Sequence, residues 1–243
     1  MLGCKGRLIF RSGPMDEAEF DKFADEYYAM HAESITASGE EPEYFAEYKI
    51  RDIALECGRH SFLARRIIDF GAGTGGSVPY VRKYFPSAQL TCLDVSQRSL
   101  EIAEKRFPSL ADYIHFDGVH IPFPEAHFDI AYAACVFHHI DHALHVPLLR
   151  ELRRVIRPGG VLFVFEHNPN NPLTLRVVNN CPFDENADLI RGHAMKKRLL
   201  AAGFADVSLR YRVFFPHSLR ALRTLESVLT WLPLGGQYYA RAK

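Results

Sequence analysis

The chain contains no uninterrupted apolar run near the roughly 20 residues that a transmembrane helix needs, so no membrane-spanning segment is expected. It has no excess of either charge, with 29 Lys+Arg against 29 Asp+Glu, which leaves no electrostatic footprint for nucleic acid or an anionic membrane. Arg150, Arg153, Arg154 and Arg157 do cluster, but Glu151 sits among them on an expected helix, and the group reads as a solvated face. The first residues lack an apolar core segment and a small-residue cleavage site, so no signal peptide is read and a cytoplasmic setting is expected. The five cysteines are odd in number and widely spread, which argues for reduced thiols rather than a disulfide framework. Cys57-x-x-His60 and Cys135-x-x-His138 have no matching second pair, so no metal site is expected. There is no internal repeat and no low-complexity tract.

What the 243 residues do have is an ordinary globular composition, 48% hydrophobic and 24% charged, enough for one sizeable core with an elaboration. They are organised around Arg66–Pro79. There an apolar run, Ile67-Ile68-Asp69-Phe70, breaks into glycines at 71, 73, 75 and 76, and a helix is expected to start near Thr74. Glycine admits positive φ and lets the backbone approach a ligand closely, while the following helix offers free N–H groups. Gly71-x-Gly73-x-x-Gly76 also satisfies the dinucleotide fingerprint. A pyrophosphate at that turn would be repelled by Asp69, however, and the acid suits a cation.

Around this turn strands and helices alternate as a parallel sheet requires. Residues 88–95 form the second strand, with Asp94 at its carboxyl end, about twenty residues past the glycines, where a carboxylate accepts ribose hydroxyls. Ser96 caps a helix over 97–107. Residues 113–117 are the third strand and 130–136 the fourth, with Asp129 a strand-start residue. His138 and His139 follow at the strand's carboxyl end, where ligands of open sheets sit and where an imidazole can take a proton. A helix over 145–156 ends at Arg157-Pro158-Gly159-Gly160, and the fifth strand, 161–166, closes on Glu166 and His167 beside the same edge. Residues 167–186, rich in asparagine and proline, read as an ordered element facing the substrate. The tail is expected as helix 188–202, strand 207–215, amphipathic helix 219–231 packing its leucines on the sheet, and strand 237–242. Ahead of the sheet, residues 1–13 are read as a flexible leader, and Asp16–His31 and Glu43–Glu56 as amphipathic helices.

Asp69-x-Gly71-x-Gly73-x-Gly75 resembles the first motif of class I S-adenosylmethionine-dependent methyltransferases of small-molecule type. So do Asp117-Gly118 through Pro122-Phe123 to Phe128-Asp129, the stretch Val136-Phe137-His138-His139, and Leu152 through Arg157-Pro158-Gly159-Gly160 to Leu162. The resemblance covers about residues 66–243. It implies a doubly wound α/β fold, a Rossmann-like, mostly parallel seven-stranded sheet with its last strand antiparallel. The domains would be a helical lid over 14–60 and a methyltransferase domain over 61–243. It implies a cofactor, S-adenosylmethionine, held by Asp69, Gly71, Ala72 and Gly73 at the methionine end, Asp94 and Val95 at the ribose, Asp117 and Gly118 at the adenine, and by Tyr27 of the lid and Ala134. His138, His139, Glu166 and His167 are the candidate bases for O- or N-methylation of a small organic acceptor by in-line displacement, with S-adenosylhomocysteine as product. A noncatalytic cofactor-binding subunit and a nicotinamide-dependent Rossmann enzyme remain alternatives, and the oligomeric state is open.

Overall fold

The computed structural model describes Ile35, residues 39–181, Asp184 and residues 186–243. The expected leader, the helix Asp16–His31 and Tyr27 lie outside the described residues. Chain order runs α1 (Pro42–Arg59), β1 (Arg66–Phe70), α2 (Val78–Tyr84), β2 (Gln89–Asp94), α3 (Gln97–Arg106), β3 (Asp112–His115) and β4 (Phe128–Ala134). It continues through a 3₁₀ turn (Phe137–His139), α4 (His142–Val155), β5 (Ile156–His167), α5 (Pro172–Asn179), α6 (Gly192–Ala201) and β6 (Val207–Arg212). A 3₁₀ stretch (His217–Leu225), the short α7 (Glu226–Leu229) and β7 (Gln237–Ala242) complete it.

The strands form one seven-stranded sheet in the order β3-β2-β1-β4-β5-β7-β6. β1 pairs in parallel with β2 on one side and β4 on the other, and β7 inserts antiparallel between β5 and β6. Both faces of the sheet are covered, which is why its central strands read as continuous apolar runs. Ile67 and Ile130 belong to the core on the face of α1, α2 and α3, whereas Ile68 and Ala131 belong to the core on the face of α4 and α6. The α4 stripe Leu148, Leu149, Leu152 and Val155 is fully buried, and each such side chain stabilises the fold by about 1.5–3 kcal/mol relative to exposure. Asp129 anchors the start of β4 as expected, accepting the N–H groups of Arg65 (2.7 Å) and Arg66 (2.8 Å).

Three local expectations are corrected. The helix after the glycines starts at Val78, not Thr74, because Gly71, Gly73 and Gly75 all take positive φ and keep the chain in a longer loop. The turn Arg157–Gly160 lies inside the span of β5, with Ile156 already paired to Phe128 and the register shifting before Val161. The amphipathic helix expected over 219–231 is a 3₁₀ stretch with a non-helical Leu219, followed by a single α-turn. Its apolar side chains do not pack on the sheet: Leu219, Leu222, Leu225 and Val228 are 48%, 41%, 49% and 66% exposed. In a 3₁₀ stretch side chains at i and i+3 eclipse, so these residues form a single row, and that row is turned to solvent rather than to the sheet.

Candidate active site

The strand order reverses between β1 and β4, and open α/β sheets hold their ligands at the carboxyl edge of such a point. The turn after β1 is tied to its neighbour there. Gly71 and Ala72 donate their N–H groups to Leu93 O (2.8 and 3.2 Å). Gly71 has φ +77°, and a Cβ on it would stand 2.5 Å from Val136, so only glycine fits. Asp94, at the end of β2, accepts Gly73 N–H on Oδ2 (2.7 Å) and Ser96 N–H on Oδ1 (2.9 Å), which joins the glycine turn to the cap of α3. Ser96 Oγ in turn accepts Ser99 N–H at 3.0 Å, the expected cap.

Beneath the turn, Asp69 is buried and accepts the Ser77 hydroxyl, which itself accepts from Tyr132 OH at 3.0 Å. Burial pushes its carboxyl up to about 6, against the pull of the Ser77 and Tyr132 hydrogen bonds. Burial likewise raises Asp94, opposed by its backbone N–H donors. Two buried acids at the floor of a cavity, with no ion pair to either among the described residues, make a receptor for a positively charged ligand.

The cavity itself is about 420 Å³, within the range of small-ligand sites. Asp69, Gly71, Ala72, Gly73, Asp94, Val95 and Ala134 all line it. Asp117 and Gly118 do not: the Asp117 side chain is 61% exposed and its Oδ1 accepts Val119 N–H (2.8 Å) and His120 N–H (2.7 Å), which hold the carboxyl below its usual range. The third strand ends at His115, two residues short of the expected end, which leaves the acid in the loop beyond.

Of the four candidate bases, only His139 lines the cavity. Glu166 is fully buried behind it, accepting Phe137 N–H (2.8 Å) and bonding His138 Nδ1 (2.5 Å), so it secures the 3₁₀ turn and offers no oxygen to the cavity. His138 is buried between Glu166 and Asp184; burial pushes its pKa down, but the two carboxylates outweigh that and raise it to about 10. His139 goes the other way, to about 3, because burial and the charge on His138 both disfavour its protonation.

Two cavity residues escape sequence reasoning. Lys49 of α1 and Cys135, directly after β4, both line the wall. Burial pushes the Cys135 thiol up, but the Lys49 ammonium and a hydrogen bond with His167 bring it down to about 7. His167 is raised by the same thiol, against burial. Cys135 adopts φ +61°, a strained value for a side chain, with its N–H on Phe165 O at 2.8 Å. The one available signal was its place at the carboxyl end of β4, where functional side chains concentrate.

This fold, with a glycine turn over two acids at the switch point, is that of class I S-adenosylmethionine-dependent methyltransferases. Residues 68–164 match the family model described as a methyltransferase domain. The chain is 38% identical over 102 residues to a demethylmenaquinone methyltransferase of Chlamydia trachomatis, covering 41% of this chain and 43% of that protein. It is 27% identical over 169 residues to a ubiquinone/menaquinone biosynthesis C-methyltransferase of Desulfotalea psychrophila, covering 69% of this chain and 64% of that protein. Its match thus spans less than half the length of the Chlamydia relative. Among solved structures, human N-acetylserotonin methyltransferase in complex with S-adenosylmethionine superposes with a TM-score of 0.61 at 17% identity, covering 94% of this chain and 56% of that one. S-adenosylmethionine is the cofactor of this class. The cavity suits it: its ammonium and sulfonium are matched by buried carboxylates, and the glycine backbone leaves room for close approach.

Proposed function

We propose that the chain transfers a methyl group from S-adenosylmethionine to a ring carbon of a small quinol-type acceptor. The observation that carries the cofactor half is the pairing of buried Asp69 and Asp94 under a glycine turn at the cavity floor. The acceptor half is supported by the names of two relatives, a demethylmenaquinone methyltransferase and a ubiquinone/menaquinone biosynthesis C-methyltransferase, and by the apolar cavity wall of Phe45, Ala46, Ile50 and Val136. This shifts the expectation from O- or N-methylation to carbon. In the same reading Asp69, Gly71, Ala72 and Gly73 hold the methionine end, Asp94 and Val95 the ribose, α1 with the residues before it acts as a lid, and residues 167–186 face the acceptor.

The bound cofactor supplies a methyl group already activated on sulfur, so orientation of the acceptor carries most of the rate. A ring carbon becomes nucleophilic when the neighbouring hydroxyl loses its proton, and the ring hydrogen leaves afterwards. Cys135, beside His167 and Lys49, is placed to take a proton at the cavity wall, and its thiol near 7 matches neutral conditions. His139 lines the same wall and bounds the space for the acceptor.

The test supplies the protein with S-adenosylmethionine and, in turn, a reduced demethylated naphthoquinone, a simple phenol and an aromatic amine. Methyl on the ring carbon of the first alone is expected, and Cys135→Ala should lower kcat by about 10²-fold or more with cofactor affinity unchanged. Methyl on oxygen or nitrogen would overturn the carbon reading. Bound cofactor with no transfer to any acceptor would favour a noncatalytic cofactor-binding subunit.

A further inference from the structure

Beside the wall that His139 contributes, side chains from two distant segments converge on one point. His138 and His139 come from the 3₁₀ turn after β4, Asp184 from the stretch after α5, and one ligand atom of each lies within 4.8 Å of the other two. Both imidazoles turn the same nitrogen to the same oxygen: His138 Nε2 stands 3.6 Å and His139 Nε2 3.5 Å from Asp184 Oδ1. Ligands bound to a tetrahedral ion at about 2.0–2.2 Å stand about 3.4 Å apart, so the two separations from Asp184 Oδ1 are already close to those of a bound ion.

The buried carboxylate behind the cluster is the second observation. Glu166 is fully buried, fixed by Phe137 N–H at 2.8 Å, and bonded to His138 Nδ1 at 2.5 Å. That contact commits Nδ1–H to Glu166 and directs Nε2 at the cluster, the carboxylate–histidine arrangement that orients metal-bound imidazoles. Taking up the ion at His138 Nε2 releases the proton of that nitrogen to solvent, as metal binding at an imidazole requires.

We propose that His138, His139 and Asp184 bind a first-row divalent metal ion, zinc foremost. Two imidazoles and one carboxylate suit such ions and leave coordination positions open, the mark of a catalytic rather than a structural site. The ion would border the cavity through His139. Binding of the ion is independent of the methyl-transfer reading; only its use, holding an acceptor oxygen as a Lewis acid, rests on it.

The full chain, stripped of metal with chelator and kept free of cofactor, is titrated with Zn²⁺ by calorimetry and with Co²⁺ by visible absorption. One equivalent of each ion should bind, with Kd about 1 µM or tighter for zinc and visible bands for bound cobalt. Asp184→Asn and His139→Ala should each weaken binding by about tenfold or more at unchanged circular dichroism, whereas His60→Ala, in the unrelated Cys57-x-x-His60 pair, should bind as the parent does. Absence of zinc heat and cobalt bands up to about 100 µM ion would overturn the proposal and leave His138 an imidazolium clamped between Glu166 and Asp184. Binding undiminished in both Asp184→Asn and His139→Ala would overturn it equally, by placing the ion elsewhere.

Discussion

Asp94 connects the glycine turn to α3 through Gly73 N–H and Ser96 N–H, and it faces the cavity with the lone pairs that remain. Asp94→Ala is therefore expected to weaken S-adenosylmethionine binding by about tenfold or more, a loss of about 1.4 kcal/mol, in a variant that still melts cooperatively; unchanged calorimetric affinity would remove it from the cofactor set. Asp69 makes a prediction in pH. Its folded pKa, about 6, lies above the ordinary value of 3.8, so burial favours the protonated form. Its contribution to stability is accordingly full below about 3.8 and is lost as pH rises through about 6. A cationic cofactor needs the ionised form, so affinity should fall as pH drops through about 6. Asp69→Asn should show a flat profile over that range, and a wild-type profile as flat as the variant's would contradict the role. Cys135 and Lys49 could not be read in the same way. Their convergence depends on α1 crossing the end of β4 and on a positive φ at Cys135, neither of which leaves a local mark in the sequence.

At the level of elements, what could be read was whatever local chemistry dictates. The run Ile67-Ile68-Asp69-Phe70 gave β1 because a strand covered on both faces is apolar throughout, and the glycines ended it because no other residue takes φ +77° at Gly71 without meeting Val136. The 219–231 stretch was misread because a helical period names a face but not a partner. The surroundings of Glu166 were hidden for a related reason: its position at a strand end is legible, but its capture by Phe137 N–H and His138 is a tertiary event. Helix α4 yields a prediction of its own. His145 is buried, with Nε2 on Ile140 O (2.9 Å) and Nδ1 against Arg198 Nη1 (2.6 Å), so it is neutral: Nε2–H donates and Nδ1 accepts. Burial lowers its pKa from 6.5 to about 4. A depressed pKa stabilises the fold above about 6.5, and that stability is lost as pH falls toward about 4. Denaturant unfolding of His145→Phe should show a shallower loss of stability than wild type across that window. Parallel curves would mean that other groups dominate the acid limb.

Across the whole molecule, the architecture sets the site and the side chains refine it. Seven strands with a reversal between β1 and β4 create a cavity at one edge, and any ligand of this fold would sit there. No helix among the described residues is long and apolar enough to cross a membrane. The choice between a cationic cofactor and a nicotinamide dinucleotide falls to the two buried acids, since the glycine spacing alone admits both. Isothermal titration of the purified chain with S-adenosylmethionine, S-adenosylhomocysteine and NADH decides it directly. The account predicts one-to-one binding of the first two at about micromolar Kd and no heat from NADH. Binding of NADH with no response to S-adenosylmethionine would contradict it, because a pyrophosphate would then be resting over Asp69.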